Sequence, residues 1–329
     1  MQLACREGKK TDFEEWFAMR CADEPGWRDW RGNLQREWNV LFDSGEFLSV
    51  VIEAADGLEG HRMLAFGGGA FVSDGFTGWL RDGQPPYIIL HLASHAAAGT
   101  RPLLHRAEIA CANAADGLNF LLSHWTWAET ALDEVESLRM RVLLAENFHL
   151  LHGGYNLRTM LVEGVGSAHR ERALEAGFDL WNDYACHYAR CGNAPEPAEL
   201  PFLMGVTRED ALRKDGSAMC RSFLYTRPRF RFTDGEQKFL CQARSGSDDA
   251  ELTLRLALSP SMIKKRWREI YEKVNAVLPD LLPPECLDKK RGKERKRLLL
   301  DYLRHHPEEL RPYKVPVLEV PAKSCARFR

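Results

Sequence analysis

The sequence predicts an α+β N-terminal domain followed by an all-α C-terminal module. Three observations carry that prediction. Short β-rich apolar runs alternate with amphipathic helical stretches up to about residue 190, a stretch bearing four prolines follows, and from residue 232 the periodicity is helical only. The expected layout is an α+β domain at 1–195, a linker at 196–231, a compact helical module at 232–285, and a basic helix with a loose tail at 286–329.

Taken in order, residues 13–42 carry Trp16, Trp27, Trp30 and Trp38 among charged residues and read as an amphipathic helix broken near Pro25 and Gly26. Three strands are expected next, FLSVVIE at 47–53, RMLAFGGGAFV at 62–72 and YIILHL at 87–92, separated by Asp, Gly and Pro turns. The run Gly67, Gly68, Gly69 lies inside a strand pattern and marks a bulge or a closely packed strand. LNFLLSHWT at 118–126 reads as a further strand. Residues 131–152 form a helix through Leu132, Val135, Leu138, Val142, Leu143 and Phe148, stopped by Gly153 and Gly154. TMLVEGV at 159–165 suits a strand, 168–176 a helix, and 180–188 a last strand or helix.

The composition excludes several classes. No run of about 18 apolar residues occurs, so no membrane partner is expected. The opening MQLACREGKKTDFEEW lacks the apolar core of a secretory signal, so the expected location is cytoplasmic. Nine cysteines, an odd number in a long chain, fit reduced thiols better than a disulfide framework. Cys186, His187 and Cys191, with His169 upstream, lack the second close ligand pair of a zinc site, so no metal is expected. The net charge of −2 hides two unlike halves: 25 Lys and Arg against 15 Asp and Glu from Arg221 onward, and 20 against 32 before it. The basic half suits a phosphate polymer.

Local chemistry defines the helical module. Thr233 and Glu236 form a capping box that opens a helix to about Arg244. Ser245 to Ser247 end it, Asp248 or Asp249 caps a second, short helix, and Ser259 with Pro260 at N1 opens a third. On that third helix Ile263, Trp267, Ile270 and Val274 share one arc. Ser261, Lys265, Arg268 and Glu272 lie opposite, flanked by Lys264 and Arg266. A basic outer face on the last of three short helices is what major-groove docking requires. Residues 232–274 resemble the LuxR-type helix-turn-helix family, through Thr233, Glu236, Leu240, Gly246, Glu251, Leu252, Leu256, Ser259, Ile263, Lys264, Ile270, Tyr271 and Lys273. The resemblance implies that Ser261, Met262, Lys264, Lys265 and Arg268 face double-stranded DNA while Ile263, Ile270 and Tyr271 pack the module. Lys264 and Arg266 suit phosphates, and Lys265 or Arg268 base edges. A homodimer on a two-fold related site follows, although Pro279, Pro283 and Pro284 interrupt the helix through which that family commonly dimerises. The basic stretch at 288–305 is open to four readings: extra phosphate contact, the dimer, folding back on the N-terminal domain, or a solvated basic helix.

The N-terminal order of strands and helices, ending in Ala176-Gly177-Phe178, resembles the GNAT acetyltransferase fold, a mixed sheet with flanking helices. In that superfamily backbone N–H groups of an Arg/Gln-x-x-Gly-x-Gly/Ala turn, opening the long helix, hold the pyrophosphate of acetyl-CoA. The matching segment here, WTWAETALDEVESL, has no glycine and is acidic. No nucleophile elbow, P-loop, dinucleotide fingerprint or paired-His motif is present, and no catalytic residue or cofactor stands out. The expectation is a non-enzymatic transcription regulator whose N-terminal domain senses a small molecule or protein effector. The alternatives are an acyltransferase fused to a DNA-binding module and an autoinducer-type receptor.

Overall fold

The computed structural model describes residues 2–23, 25–55, 61–82, 84–128, 132–192, 196, 200–214, 216–284 and 289–314. The tail expected beyond 316 lies outside them. The β-rich runs pair into one sheet of seven strands: β1 (Gln2–Arg6), β2 (Leu48–Ala55), β3 (His61–Val72), β4 (Leu118–Trp127), β5 (Leu157–Val165), β6 (Asp179–Asn182) and β7 (Pro201–Thr207), in the spatial order β1-β2-β3-β4-β5-β7-β6. Its helices are α1 (Phe13–Asp23), α2 (Arg31–Asp43), α3 (Asp74–Arg81), α4 (Ile88–Ala97), α5 (Arg106–Ala114), α6 (Glu134–His152), α7 (Ser167–Ala176), α8 (Ala185–Cys191), α9 (Arg208–Arg213) and α10 (Ala218–Phe223). Among the described residues only β4 and β5 run parallel, and α6 is the crossover such a pair needs.

Alternation along the strands sorts side chains to two faces. Phe66, Leu121, Leu161 and Leu203 join Phe13, Trp16, Leu34, Trp38 and Leu41 of α1 and α2 and Ile88 and Leu92 of α4 in one core. Phe71, Phe120, Met160, Phe202 and Met204 join Ile109 of α5, Phe148 of α6 and Met219 and Phe223 of α10 in the other. The glycine run in β3 is a bulge site, as its sequence indicates: β4 passes from Leu122 to His124 while β3 passes only from Gly69 to Gly68, so Ser123 is the extra residue. A side chain at Gly68 would run into the Phe47 ring, and one at Gly69 into the Leu121 carbonyl.

Three expectations differ from the structure. Residues 88–97 are helix α4 rather than a strand. The apolar run there has no strict alternation, Ile88 and Leu92 bury one helical face, and a carboxylate from β5 accepts the first N–H groups. The last segment is both a strand and a helix, β6 then α8, with Tyr184 at φ 56 between them. The span 196–231 is not a linker, because PFLMGV inserts as β7 between β5 and β6 and α9 and α10 follow. Pro201 sits at the first position of that strand, where a missing N–H is tolerated.

Beyond it, α11 (Asp234–Arg244), α12 (Asp249–Leu256) and α13 (Pro260–Val277) lie where the caps place them. Thr233 and Glu236 close the capping box, and Ser259 accepts from Met262 N. Ile263, Trp267, Ile270 and Val274 are all buried, against Phe239 and Leu240 of α11. The basic stretch forms α14 (Lys289–His305), which turns Leu299 and Leu303 into this same core, so it packs on the helical module rather than folding back on the N-terminal domain. The segment after it reaches the sheet domain: Arg311 donates to the carbonyls of Gly153 at 2.9 Å and Leu150 at 2.6 Å, and Asn113 Nδ2 donates to Pro312 O at 2.8 Å.

A Gly69→Ala substitution forces the Leu121 backbone or the bulge to move, at a cost of about 1–3 kcal/mol typical of overpacking. Urea unfolding should show a lowered midpoint, whereas Gly75→Ala, whose added methyl meets nothing within 4 Å, should leave it nearly unchanged.

Candidate functional site

β4 and β5 pair from Leu118↔Leu157 to Leu122↔Val162 and then part. Beyond that point β4 continues to Trp127 paired only with β3, and β5 continues to Val165 paired only with β7. The facing edges of the two strands therefore have no ladder partner, and a cleft of about 290 Å³ passes between them. On one side it is walled by Trp16, Trp27, Leu34, Ile88 and Leu92, and on the other by Ala145 and Phe148 of α6 and Ala173 and Ala176 of α7.

The bulge at Ser123 determines which side chains meet there. Leu121 faces the α1–α2 side, so unbroken alternation would turn His124 away from it. The extra residue returns His124 to that side, against Trp16 (4.6 Å between ring centroids) and Trp38 (5.4 Å). There His124 Nε2 meets Glu37 Oε2 of α2 at 3.0 Å, both side chains being almost fully enclosed. The second oxygen, Glu37 Oε1, is buried without a hydrogen-bond partner, as is Trp16 Nε1, and both residues line the cleft. An unmet buried polar atom costs about 1–3 kcal/mol, so the cleft favours a ligand that donates to Glu37.

Glu163 lies where β5 leaves β4 and is built differently. Its oxygens accept from Tyr87 N at 2.9 Å, Ile88 N at 2.7 Å and Tyr184 Oη at 2.7 Å. It thus caps α4, whose N-cap residue Tyr87 has φ 71. Burial pushes the Glu163 carboxyl up to about 7 although all three bonds favour its charged form. All its donors come from the protein, so its role is to hold the cleft wall.

On the α6–α7 side, burial lowers the His149 pKa, aided by Arg221, and Nδ1 lies 3.1 Å from Ser222 Oγ. Arg172 of α7 lies over the Trp127 ring at 5.1 Å. The start of α6 is acidic. Asp133 Oδ1 accepts from Glu136 N at 2.8 Å, with Glu134 and Glu136 in the first turn. Asp133 thus answers one N–H of the helix start, and two further acidic residues stand in its first turn, which disfavours a pyrophosphate there.

In the helical module Ser261, Met262, Lys264, Lys265 and Arg268 are exposed on α13 and Arg266 is half-buried. Lys265 and Arg266 lie 3.8 and 3.9 Å from Glu269, and Arg268 lies 3.8 Å from Glu272. Trp267 belongs to the core and donates to Asp249 at 3.3 Å. Among the described residues no group of three or more His, Cys, Asp or Glu converges as for a metal, and no helix is long and apolar enough to cross a membrane.

Neither a protein-family model nor a curated protein matches this sequence. Solved structures align with about two thirds of it. The C-terminal condensation domain of Ebony, in complex with beta-alanyl-dopamine, is 14% identical over 63% of this chain and 99% of that one, with a TM-score of 0.38. A GNAT-family acetyltransferase from Bacillus cereus is 8% identical over 63% and 98%, with a TM-score of 0.31. FeeM, an N-acyl amino acid synthase from uncultured soil microbes, is 6% identical over 67% and 96%, with a TM-score of 0.35. The sheet domain of this chain is a mixed sheet with flanking helices. Against the expectation of a non-enzyme, the aligned chains are named as a condensation domain, an acetyltransferase and an N-acyl amino acid synthase. Sequence reading passed over Glu37, His124 and Glu163 because each is one polar residue in an apolar or amphipathic stretch. A His inside the strand LNFLLSHWT was the one available signal.

The Glu163 carboxyl has a pKa of about 7 in the fold against 4.5 for a free side chain. The folded state therefore binds the extra proton. Its stabilising effect is complete below pH 4.5 and is lost as the pH rises through 7. Melting temperatures followed from about pH 5 to about pH 8 should fall more steeply for the native chain than for Glu163→Gln. Parallel curves would show that Glu163 does not titrate in this range.

Proposed function

We propose that the sheet domain is an acyltransferase that moves an acyl group from a thioester to an amine held in the cleft between β4 and β5. The observation that carries this reading is Glu37 Oε1, a buried acceptor with no partner among the described residues, on a cleft-lining carboxylate whose other oxygen is held by His124. An ammonium group is the ligand that such an oxygen favours, and the aromatic wall of Trp16 and Trp27 suits an apolar body attached to it.

The chemistry follows from those placements. The ammonium gives a proton to Glu37 Oε1, and the freed nitrogen lone pair attacks the thioester carbonyl carbon. The developing oxyanion takes an N–H from the unpartnered edge of β4 after Leu122. The C–N bond forms and the C–S bond breaks. The proton that nitrogen loses on becoming an amide matches the one the leaving thiolate gains. His124 orients the carboxylate throughout and is a positioning residue.

The helical module supports a second, separable activity. The exposed edge formed by Ser261, Met262, Lys264, Lys265 and Arg268, with Arg266 beside it, is opposite the buried arc of α13, and α14 packs on the Trp267–Tyr271 side instead. That arrangement suits duplex DNA, taken up by two copies of the chain on a two-fold related site.

Glu37→Gln keeps the size and the His124 contact but removes the proton acceptor. Amine acylation, followed by mass spectrometry across a panel of aromatic and aliphatic amines with an acyl thioester, should drop about 10²–10⁴-fold with an unchanged melting temperature. Undiminished turnover in Glu37→Gln would remove Glu37 from the chemistry, and no amide product with any amine would remove the reading. Separately, Lys264→Ala with Lys265→Ala should weaken gel-shift binding to all duplex sequences and flatten its salt dependence. Equal affinity at every salt concentration would overturn the DNA reading.

A further inference from the structure

Resting on the transferase reading, we infer that the donor taken by this cleft is an acyl thioester whose handle carries no nucleotide diphosphate, laid along an apolar ridge of α6. Two independent features lead there. The first is the start of α6. Asp133 already accepts from Glu136 N, Glu134 and Glu136 add two more carboxylates, and the sequence leading in, WTWAETALD, has no glycine to bring backbone N–H groups close to a phosphate. Three acidic residues at the opening of α6 thus disfavour a diphosphate there.

The second feature is what α6 offers instead. Leu138, Val142, Ala145 and His149 follow one another at steps of four, three and four residues and so form one ridge, with Val135 at its outer end. Val135, Leu138 and Val142 are 66%, 56% and 49% exposed, which is unusual for three large apolar side chains in a row. The inner end of the ridge, Ala145 and His149, lines the cleft. The ridge therefore runs without a break from solvent into the reaction site. A handle of amide and methylene groups matches it, and the acyl carbonyl then reaches the unpartnered edge of β4.

The test uses the full chain, calorimetric binding of S-octanoyl-pantetheine and octanoyl-CoA, and separate amine acylation assays. Expected are at least ten-fold weaker binding of octanoyl-CoA than of S-octanoyl-pantetheine by the native chain, equal binding of the two overturning the inference, and at least ten-fold weaker binding of S-octanoyl-pantetheine by Leu138→Ser with Val142→Ser. These two positions are exposed, so the fold should persist. Neutralising the helix start with Asp133→Asn, Glu134→Gln and Glu136→Gln, which keeps a favoured N-cap, should tighten octanoyl-CoA at least ten-fold and leave the pantetheine thioester unchanged. Tighter binding of octanoyl-CoA by the native chain also overturns the inference, as does failure of S-octanoyl-pantetheine to bind. Acylation of an amine by either thioester upholds the transferase reading whichever way the binding ratio falls, so the two can fail separately. A protein-borne thioester that is turned over faster than S-octanoyl-pantetheine would identify the natural source of the same handle.

Discussion

The bulge at Ser123 is the constraint on which the site depends. One extra residue in β4, opposite Gly68 and Gly69, turns His124 onto the face where α2 presents Glu37, and it falls next to the last β4–β5 pair, Leu122↔Val162. The same distortion thus brings together the polar pair and ends the parallel ladder that would otherwise close the cleft. It requires glycine on β3, because Phe47 and the Leu121 carbonyl occupy the space of any side chain. What the fold loses in strand pairing it regains on the outer edges, where β3 holds β4 and β7 holds β5.

The two buried carboxylates that line the cleft divide by whether their hydrogen bonds are met. Glu163 has a partner for every direction it presents, and its burial raises its pKa without freeing an oxygen for substrate. Glu37 has one oxygen held and one left open, in a pocket of Trp and Leu side chains where water is a poor substitute. Held rigid by His124 and surrounded by stacked aromatics, that oxygen is oriented before any ligand arrives. Two carboxylates on the same side of the cleft thus differ in whether the protein itself satisfies them.

The helical module is fastened to the same helix that borders the cleft. Arg311 donates to carbonyls at the C-terminal end of α6, where a cation also suits the helix dipole, and lies over the Tyr155 ring at 4.6 Å. Arg106 of α5 reaches Asp234 at 3.2 Å and Gln237 at 3.1 Å on α11. Buried Glu309 accepts from Arg229 N and Phe230 N and holds the chain entering the module. The two units therefore share a set of directional bonds as well as a covalent connection.

Local signals were enough for much of this chain. The Thr233–Glu236 box, the Ser259–Pro260 start and the apolar arc of α13 set three helices to within a residue or two, because capping and amphipathic spacing are short-range chemistry. Strands β2 to β5 and the bulge at the glycine run were likewise legible in their composition. The sequence by itself also determined that the start of α6 would be acidic and free of glycine. Tertiary structure decided α4, since its first N–H groups are satisfied by Glu163 from a strand 75 residues away. It decided β7, a Pro-led run that becomes a strand only when β5 and β6 leave a place for it. It decided the site as well, because Glu37 and His124 are 87 residues apart and meet only through a one-residue change in register. Residue type and spacing control what forms within a few turns of chain, whereas the pairing of single polar side chains depends on which backbone edges are left open when the sheet closes.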